Sequence, residues 1–158
     1  GVQTCALPIW ADLDWAAAET AYRRAWAFDA RSYRIPLAVG DFFLARATWD
    51  QPERVNFAQT ALRWFDRAYT RNPYATEALI KMGRVQDLLG RREQALERYQ
   101  RALDADPRNA AFHTQLALHY LRWDKTAEAR RMFQRALSLD PNDETAAVEL
   151  QRLGESDS

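Results

Sequence analysis

The chain has 158 residues, a length that suits one domain or one short array of repeats. Its 22 Lys and Arg balance its 22 Asp and Glu, so its charge gives no general reason to bind nucleic acid or an anionic membrane. Apolar residues make up 47%, which argues against global disorder, and no run approaches the roughly 18 apolar residues of a transmembrane helix.

Residues 1–9, GVQTCALPI, are set apart from the rest of the chain. The string matches the translation of a common sequencing adapter, a contaminant at the ends of metagenomic gene fragments, so we predict that it is not native. The alternative is a genuine N-terminal segment, although it lacks the basic start and long apolar centre of a signal peptide. We therefore expect the natural start to be missing, and Cys5 gives no information about the redox compartment.

The first predicted helix, residues 10–28, has the pattern of a repeat's second helix whose first helix is missing. Asp12 is a candidate N-cap. Trp15, Tyr22 and Trp26 fall at helical spacing on one apolar face, which would pack on the missing helix. Because such a face is then partly exposed to water, we expect self-association through this helix.

The rest of the chain predicts seven more helices from its apolar periodicity. They are residues 33–47, 53–70, 75–89, 92–105, 109–122, 126–139 and 143–153. Gly90 is a plausible C-cap, and Asp124 replaces it in the next pair. The last helix is amphipathic and suits a cap on the open end of an array, while residues 154–158 are expected to be a flexible tail.

One predicted repeat carries an insertion. Gly40 and Ala61 are 21 residues apart, whereas the corresponding residues of the next repeat are 12 apart, so nine residues are extra. They fall in TWDQPERVNF, where Asp50 with Glu53 resembles a capping box and Pro52 suits a first helical turn. We expect a longer turn followed by an extended second helix.

A period of 34 residues runs through the chain. Pro73, Pro107 and Pro141 keep this spacing. So do two further sets: Phe65, Tyr99 and Phe133, and Ala61, Ala95 and Ala129. A fixed period of this size predicts an array of paired helices.

These positions resemble the tetratricopeptide repeat family, whose pattern is W-x2-L-G-x2-Y, then A-x3-F, then P. In the last repeat, the positions of this pattern are occupied by His113, Leu116, Ala117, Tyr120, Ala129, Phe133 and Pro141. The resemblance implies an all-α solenoid of antiparallel helix pairs. Its expected parts are a half repeat 10–30, repeats 31–73, 74–107 and 108–141, and a capping helix 142–153.

No arrangement of residues indicates catalysis, a cofactor or a metal. His113 and His119 are six residues apart, which does not place two ligands on one helix face. His113 occupies the usual Trp position of the repeat, so a packing role is favoured over metal binding. Trp64 and Trp123 are expected to pack between helices, while Trp49, at the inserted turn, is a candidate contact residue for a partner.

The resemblance implies a concave groove lined by the first helices, where a peptide or partner helix binds. The corresponding residues are Arg34, Leu37, Asp41, Leu44, Glu77, Ile80, Lys81, Arg84, Leu88, Ala111, Thr114, Gln115, Leu118 and Arg122. Some family members clamp chaperone C-terminal carboxylates, but only Lys81 supplies a cation at the matching positions. We expect exposed Lys81 and Arg84 to contact the guest's polar groups, while Leu37, Ile80 and Leu118 take its apolar side chains.

The sequence therefore favours a protein-interaction scaffold that has no catalysis and binds no nucleic acid. An alternative stays open, because NPYATEAL and the inserted repeat faintly resemble the repeat tails of bacterial membrane glycan ligases of the O-antigen type. In that case the chain would be the C-terminal part of a larger enzyme and would lie in the periplasm rather than the cytoplasm.

Overall fold

The computed structural model describes residues 15–29 and 31–155, and for Trp15, Ala16 and Ala18 it describes the backbone alone. The described residues form eight helices and no strand. They are α1 (Trp15–Phe28), α2 (Arg34–Trp49), α3 (Arg54–Arg71), α4 (Glu77–Leu88), α5 (Arg92–Ala105), α6 (Ala110–Arg122), α7 (Thr126–Leu139) and α8 (Glu144–Glu155). The predicted all-α array is confirmed, whereas residues 1–9 and the proposed cap Asp12 lie outside the described residues.

Each helix packs on the next one along the chain, as short connections between neighbouring helices require. Three pairs, α2 with α3, α4 with α5, and α6 with α7, stack in order, with α1 at one end and α8 at the other. The first helices also contact one another, α2 with α4 and α4 with α6. The array is therefore a short solenoid whose first helices form one continuous face. Among the described residues, no helix combines the length and apolarity that crossing a membrane requires.

Small residues allow close contact inside each pair. Gly40 and Gly83 lie opposite buried aromatic rings of the second helices: a Cβ at Gly40 would overlap the ring of Phe65, and one at Gly83 would lie 2.8 Å from Tyr99 Cε1. Ala95 is fully buried on α5. Because each aromatic ring belongs to a cluster that also includes the next pair's first helix, the same side chains hold the pairs together.

The two predicted helix ends at Gly90 and Asp124 are confirmed. Both residues have positive φ, +71° and +56°. The following N–H groups close the turn on the preceding helix: Arg91 donates to Gln86 O at 2.9 Å, and Lys125 donates to Tyr120 O at 2.9 Å. These bonds are those of a Schellman-type C-cap, which the non-glycine Asp124 also adopts.

The insertion lengthens the turn and the following helix, as predicted. Glu53 donates its N–H to Asp50 Oδ1 at 3.4 Å, but the Glu53 carboxylate accepts from Asn56 Nδ2 at 2.7 Å instead of completing the reciprocal bond. The predicted capping box is therefore not formed at the helix start, because the N-cap residue of α3 is Glu53 and it makes no side-chain cap hydrogen bond. Pro52 lies in the turn before α3 rather than in its first turn. The guanidinium of Arg46 lies 3.8 Å from the Phe57 ring centroid, and this contact fixes the added turn of α3 on α2.

The C-terminal helix extends through Glu155, two residues further than the periodicity predicted. Asp143 caps its start, because its Oδ1 accepts the Ala146 N–H at 3.0 Å. Near its end, Arg130 of α7 donates to the Leu153 carbonyl at 3.1 Å. That bond satisfies one carbonyl of the last turn, which explains why the helix continues past the last apolar position.

Candidate functional site

The face formed by α2, α4 and α6 contains a pocket of about 370 Å³. Its lining comes from these three helices and, through Tyr99, from α5. Six predicted groove residues line it: Leu44, Arg84, Leu88, Gln115, Leu118 and Arg122. Thr48, Asp87, Tyr99 and His119 also line it and were not predicted. Sequence reasoning thus identified the rim of this pocket but missed its polar floor.

Lys81 differs from the expectation that it is an exposed contact residue. Its Nζ lies 2.6 and 2.7 Å from the two carboxylate oxygens of Asp41, and its side chain is only 21% exposed. The two residues come from neighbouring first helices, so the register of the stacked pairs brings them together. Lys81 therefore links α4 to α2 and has less capacity to contact a guest than Arg84, which is exposed.

Other predicted groove residues are also used by the fold. Leu37 and Ile80 are buried to 8% and 7% exposure, so they offer little surface to a guest's side chains. Thr114 is 3% exposed, and its hydroxyl donates to Asp143 Oδ2 at 2.5 Å. Three predicted residues are exposed outside the pocket: Arg34, Glu77 and Ala111.

A buried carboxylate organises the pocket floor. Asp87, 7% exposed, accepts from His119 Nδ1 at 2.7 Å and from Trp123 Nε1 at 3.1 Å through Oδ1. Its Oδ2 accepts from the Tyr99 hydroxyl at 3.0 Å. We call these four residues the Asp87 cluster. It joins α4, α5, α6 and the turn after α6, so one buried charge is compensated by three donors from neighbouring elements.

Burial raises the pKa of Tyr99 far above its ordinary value, and the charge and hydrogen bond of Asp87 raise it further. Arg84 and Arg122 act on the Tyr99 pKa in the opposite direction, so both guanidinium groups are electrostatically close to the floor. Tyr99 therefore keeps its proton in the neutral pH range and remains a donor to Asp87.

Of the other residues that the sequence singles out, His113 and Trp64 have structural contacts. His113 is half-buried, and its Nε2 lies 2.9 Å from the Pro107 carbonyl oxygen. In the described part of the chain, no group of three or more His, Cys, Asp or Glu is placed to hold a metal ion. Trp64 packs edge-on against Trp26 at 5.7 Å, as expected of a packing residue, whereas Trp49 is 55% exposed at the inserted turn.

Comparison with known proteins identifies the repeat and the fold. Residues 88–153 match the sequence model of the tetratricopeptide repeat family. A thermophilic tetratricopeptide repeat protein of Thermus thermophilus has a TM-score of 0.78 and 21% identity, covering 85% of this chain and 70% of its own. MamA has a TM-score of 0.69 and 17% identity, covering 91% and 79%.

A third solved structure contains a bound peptide. It is the first tetratricopeptide repeat domain of Spaghetti (RPAP3) bound to the HSP90 peptide SRMEEVD, with a TM-score of 0.66 and 15% identity, covering 81% of this chain and 94% of its own. At these identities the likeness shows the fold alone. No curated protein matches the chain.

Proposed function

We propose that this chain, which carries tetratricopeptide repeats, is a scaffold that binds a peptide or a helix of a partner protein along the face of α2, α4 and α6. One observation carries the proposal: side chains from all three helices meet in one pocket of about 370 Å³. The peptide held by the similar domain of Spaghetti supports a peptide as the guest. We propose a protein partner rather than nucleic acid because the net charge is zero.

The proposed groove includes fewer residues than the groove predicted from the sequence. Arg84, Leu88, Gln115, Leu118 and Arg122 offer partly or fully exposed surface at the pocket. Such convergent apolar and polar side chains can hold a guest's anchor residue. We propose no catalytic step, consistent with the usual scaffold role of this family.

Trp49 is a second proposed contact. It directly follows Thr48, which lines the pocket, and its large apolar side chain is 55% exposed. An exposed Trp beside a pocket is a common feature of protein interfaces. We propose that the inserted turn presents Trp49 to the part of the guest that leaves the pocket.

A steric block tests the groove without changing charge. Peptides selected from a random dodecapeptide display library should bind wild type, and Gln115→Trp should weaken that binding roughly tenfold or more because the indole occupies the pocket. Gln134→Trp, at an exposed site on the second helix α7, is the matched control and should leave affinity unchanged. Affinity measured by titration calorimetry that falls equally for both variants would contradict the groove assignment.

We also propose weak self-association through α1, on a different face from the predicted one. Tyr22 and Trp26 pack on Phe42 and Trp64, with ring centroids 5.6 and 5.7 Å apart, so these aromatic residues already have partners. The exposed stripe instead consists of Ala17, Ala21, Ala25 and Phe28, at helical spacing, with Phe28 94% exposed. The small alanines allow a second helix to approach closely, and the exposed ring of Phe28 adds apolar surface at the end of the stripe.

Sedimentation velocity tests the α1 contact. We expect the mean sedimentation coefficient of wild type to rise with protein concentration, and Phe28→Ser to reduce that rise. Tyr74→Ser removes an equally exposed ring, 92% exposed, from the turn between α3 and α4 and should have no effect. A strictly monomeric wild type at high concentration would exclude the α1 contact.

The alternative prediction, a repeat tail of a membrane glycan ligase, gains no support from the proteins named above. They are repeat proteins at identities that show only the fold. It remains a prediction from the faint resemblance, and no observation on the described residues favours it.

A further inference from the structure

The pocket between α2, α4 and α6 combines an apolar wall with two cationic groups. Leu44, Leu88 and Leu118, one from each helix, supply the wall. Arg84 and Arg122 line the same pocket and are both exposed, so their guanidinium groups lie at the rim next to solvent. A guest anchored here must therefore supply apolar groups for the wall and polar or acidic groups for the two arginines.

The two rim arginines have no acidic partner among the described residues. Lys81 provides the contrast, because Asp41 already neutralises it. Some other exposed cations on the helices are paired, such as Arg23 with Glu19 at 2.8 Å. Arg84 and Arg122 thus converge on one pocket and leave their hydrogen-bonding capacity for a ligand.

The Asp87 cluster at the pocket floor does not neutralise the charges of Arg84 and Arg122. The carboxylate of Asp87 is buried, and it already accepts bonds from Tyr99, His119 and Trp123. The carbonyl ends of α4 and α6 add partial negative charge, but this effect is weaker than two full charges and falls off within the last turn. A carboxylate arriving from solvent meets the guanidinium forks first, since these are exposed and the Asp87 oxygens are not.

We infer that the guest's anchor is an acidic side chain, Glu or Asp, flanked by apolar side chains. The carboxylate is held between Arg84 and Arg122, and the flanking residues pack on the partly exposed Leu88 and Leu118. This inference rests on the proposed peptide-binding function and specifies its chemistry.

Two steps test the inference: peptide display on wild type, and then binding of selected peptides whose C-terminus is amidated and therefore uncharged. Peptides selected on wild type should be enriched in sequences with one acidic residue between apolar ones. The best of them, resynthesised with a C-terminal amide, should bind the double variant R84Q/R122Q roughly tenfold more weakly than wild type. The same peptide with its acidic residue changed to the amide should lose a similar factor on wild type and lose little more on the double variant.

The control variant R24Q/R131Q removes the same charge from exposed positions on α1 and α7 and should bind the selected peptide with unchanged affinity. Equal circular dichroism melting curves for both double variants should show that folding is intact, since all four arginines are exposed. Binders without acidic enrichment, or binders insensitive to R84Q/R122Q, would overturn the inference and leave the groove proposal standing. A library that yields no binders would overturn both.

Discussion

Replacing Asp87 with Ala is expected to destabilise the array by about 3–5 kcal/mol, because the donors that this buried carboxylate satisfies lose their acceptor. The carboxylate serves the Tyr99 hydroxyl, the His119 Nδ1 and the Trp123 indole together. Its removal leaves three donors without their acceptor, and each buried unsatisfied group costs about 1–3 kcal/mol before water or repacking relieves it. The measurement is urea unfolding followed by far-ultraviolet circular dichroism.

Two controls separate the network from simple loss of a carboxylate. Asp87→Asn keeps the shape and one acceptor oxygen, so it should cost less than Asp87→Ala. Asp104→Ala removes an exposed acid from α5 and should change stability by no more than about 0.5 kcal/mol. If Asp87→Ala were as mild as Asp104→Ala, the Asp87 cluster would not hold α4, α5 and α6 together.

The fold was predictable from the sequence because its determinants are local and periodic. Prolines spaced by 34 residues, with Ala61, Ala95 and Ala129 on the same period, specify where helices stop and where they must approach closely. Gly90 and Asp124 occupy corresponding turns, where the backbone adopts a positive φ. Each of these signals can be identified without knowing which distant residues touch.

The site was predictable only in part because its electrostatics depend on contacts between repeats. Lys81 and Asp41 are 40 residues apart, and Asp87 and His119 are 32 apart. Each is an ordinary polar residue of a helix when taken alone. Whether such a residue faces solvent, a neighbour or the core depends on the rotation and stacking of successive pairs, which one repeat pattern does not specify. The predicted residues therefore include those at the pocket rim, but the sequence did not predict the Asp87 cluster or the pairing of Lys81 with Asp41.

Replacing Phe65 with Ala is expected to cost about 3–5 kcal/mol, the typical loss for a large aromatic side chain from a core. Phe65 has no exposed surface, packs on the backbone of Gly40, and belongs to the cluster that joins α2, α3 and α4. Phe57→Ala removes the same side chain from a half-buried site on α3 and should cost less. Urea unfolding in which both variants lose equal stability would contradict the central role of Phe65.

The contact between Phe65 and Gly40 gives this prediction a sharper form. Gly40→Ala in the wild-type background should destabilise by about 1–3 kcal/mol, because its methyl group overlaps the Phe65 ring and the ring is enclosed on all sides. In the Phe65→Ala background the same methyl group enters vacated space, and alanine favours a helix over glycine by about 1 kcal/mol, so the change should become neutral or stabilising. A coupling free energy of roughly 1–3 kcal/mol is therefore expected from the double-mutant cycle. Additive effects would show that the ring of Phe65 moves aside freely, and that glycine at position 40 is not required by close helix packing.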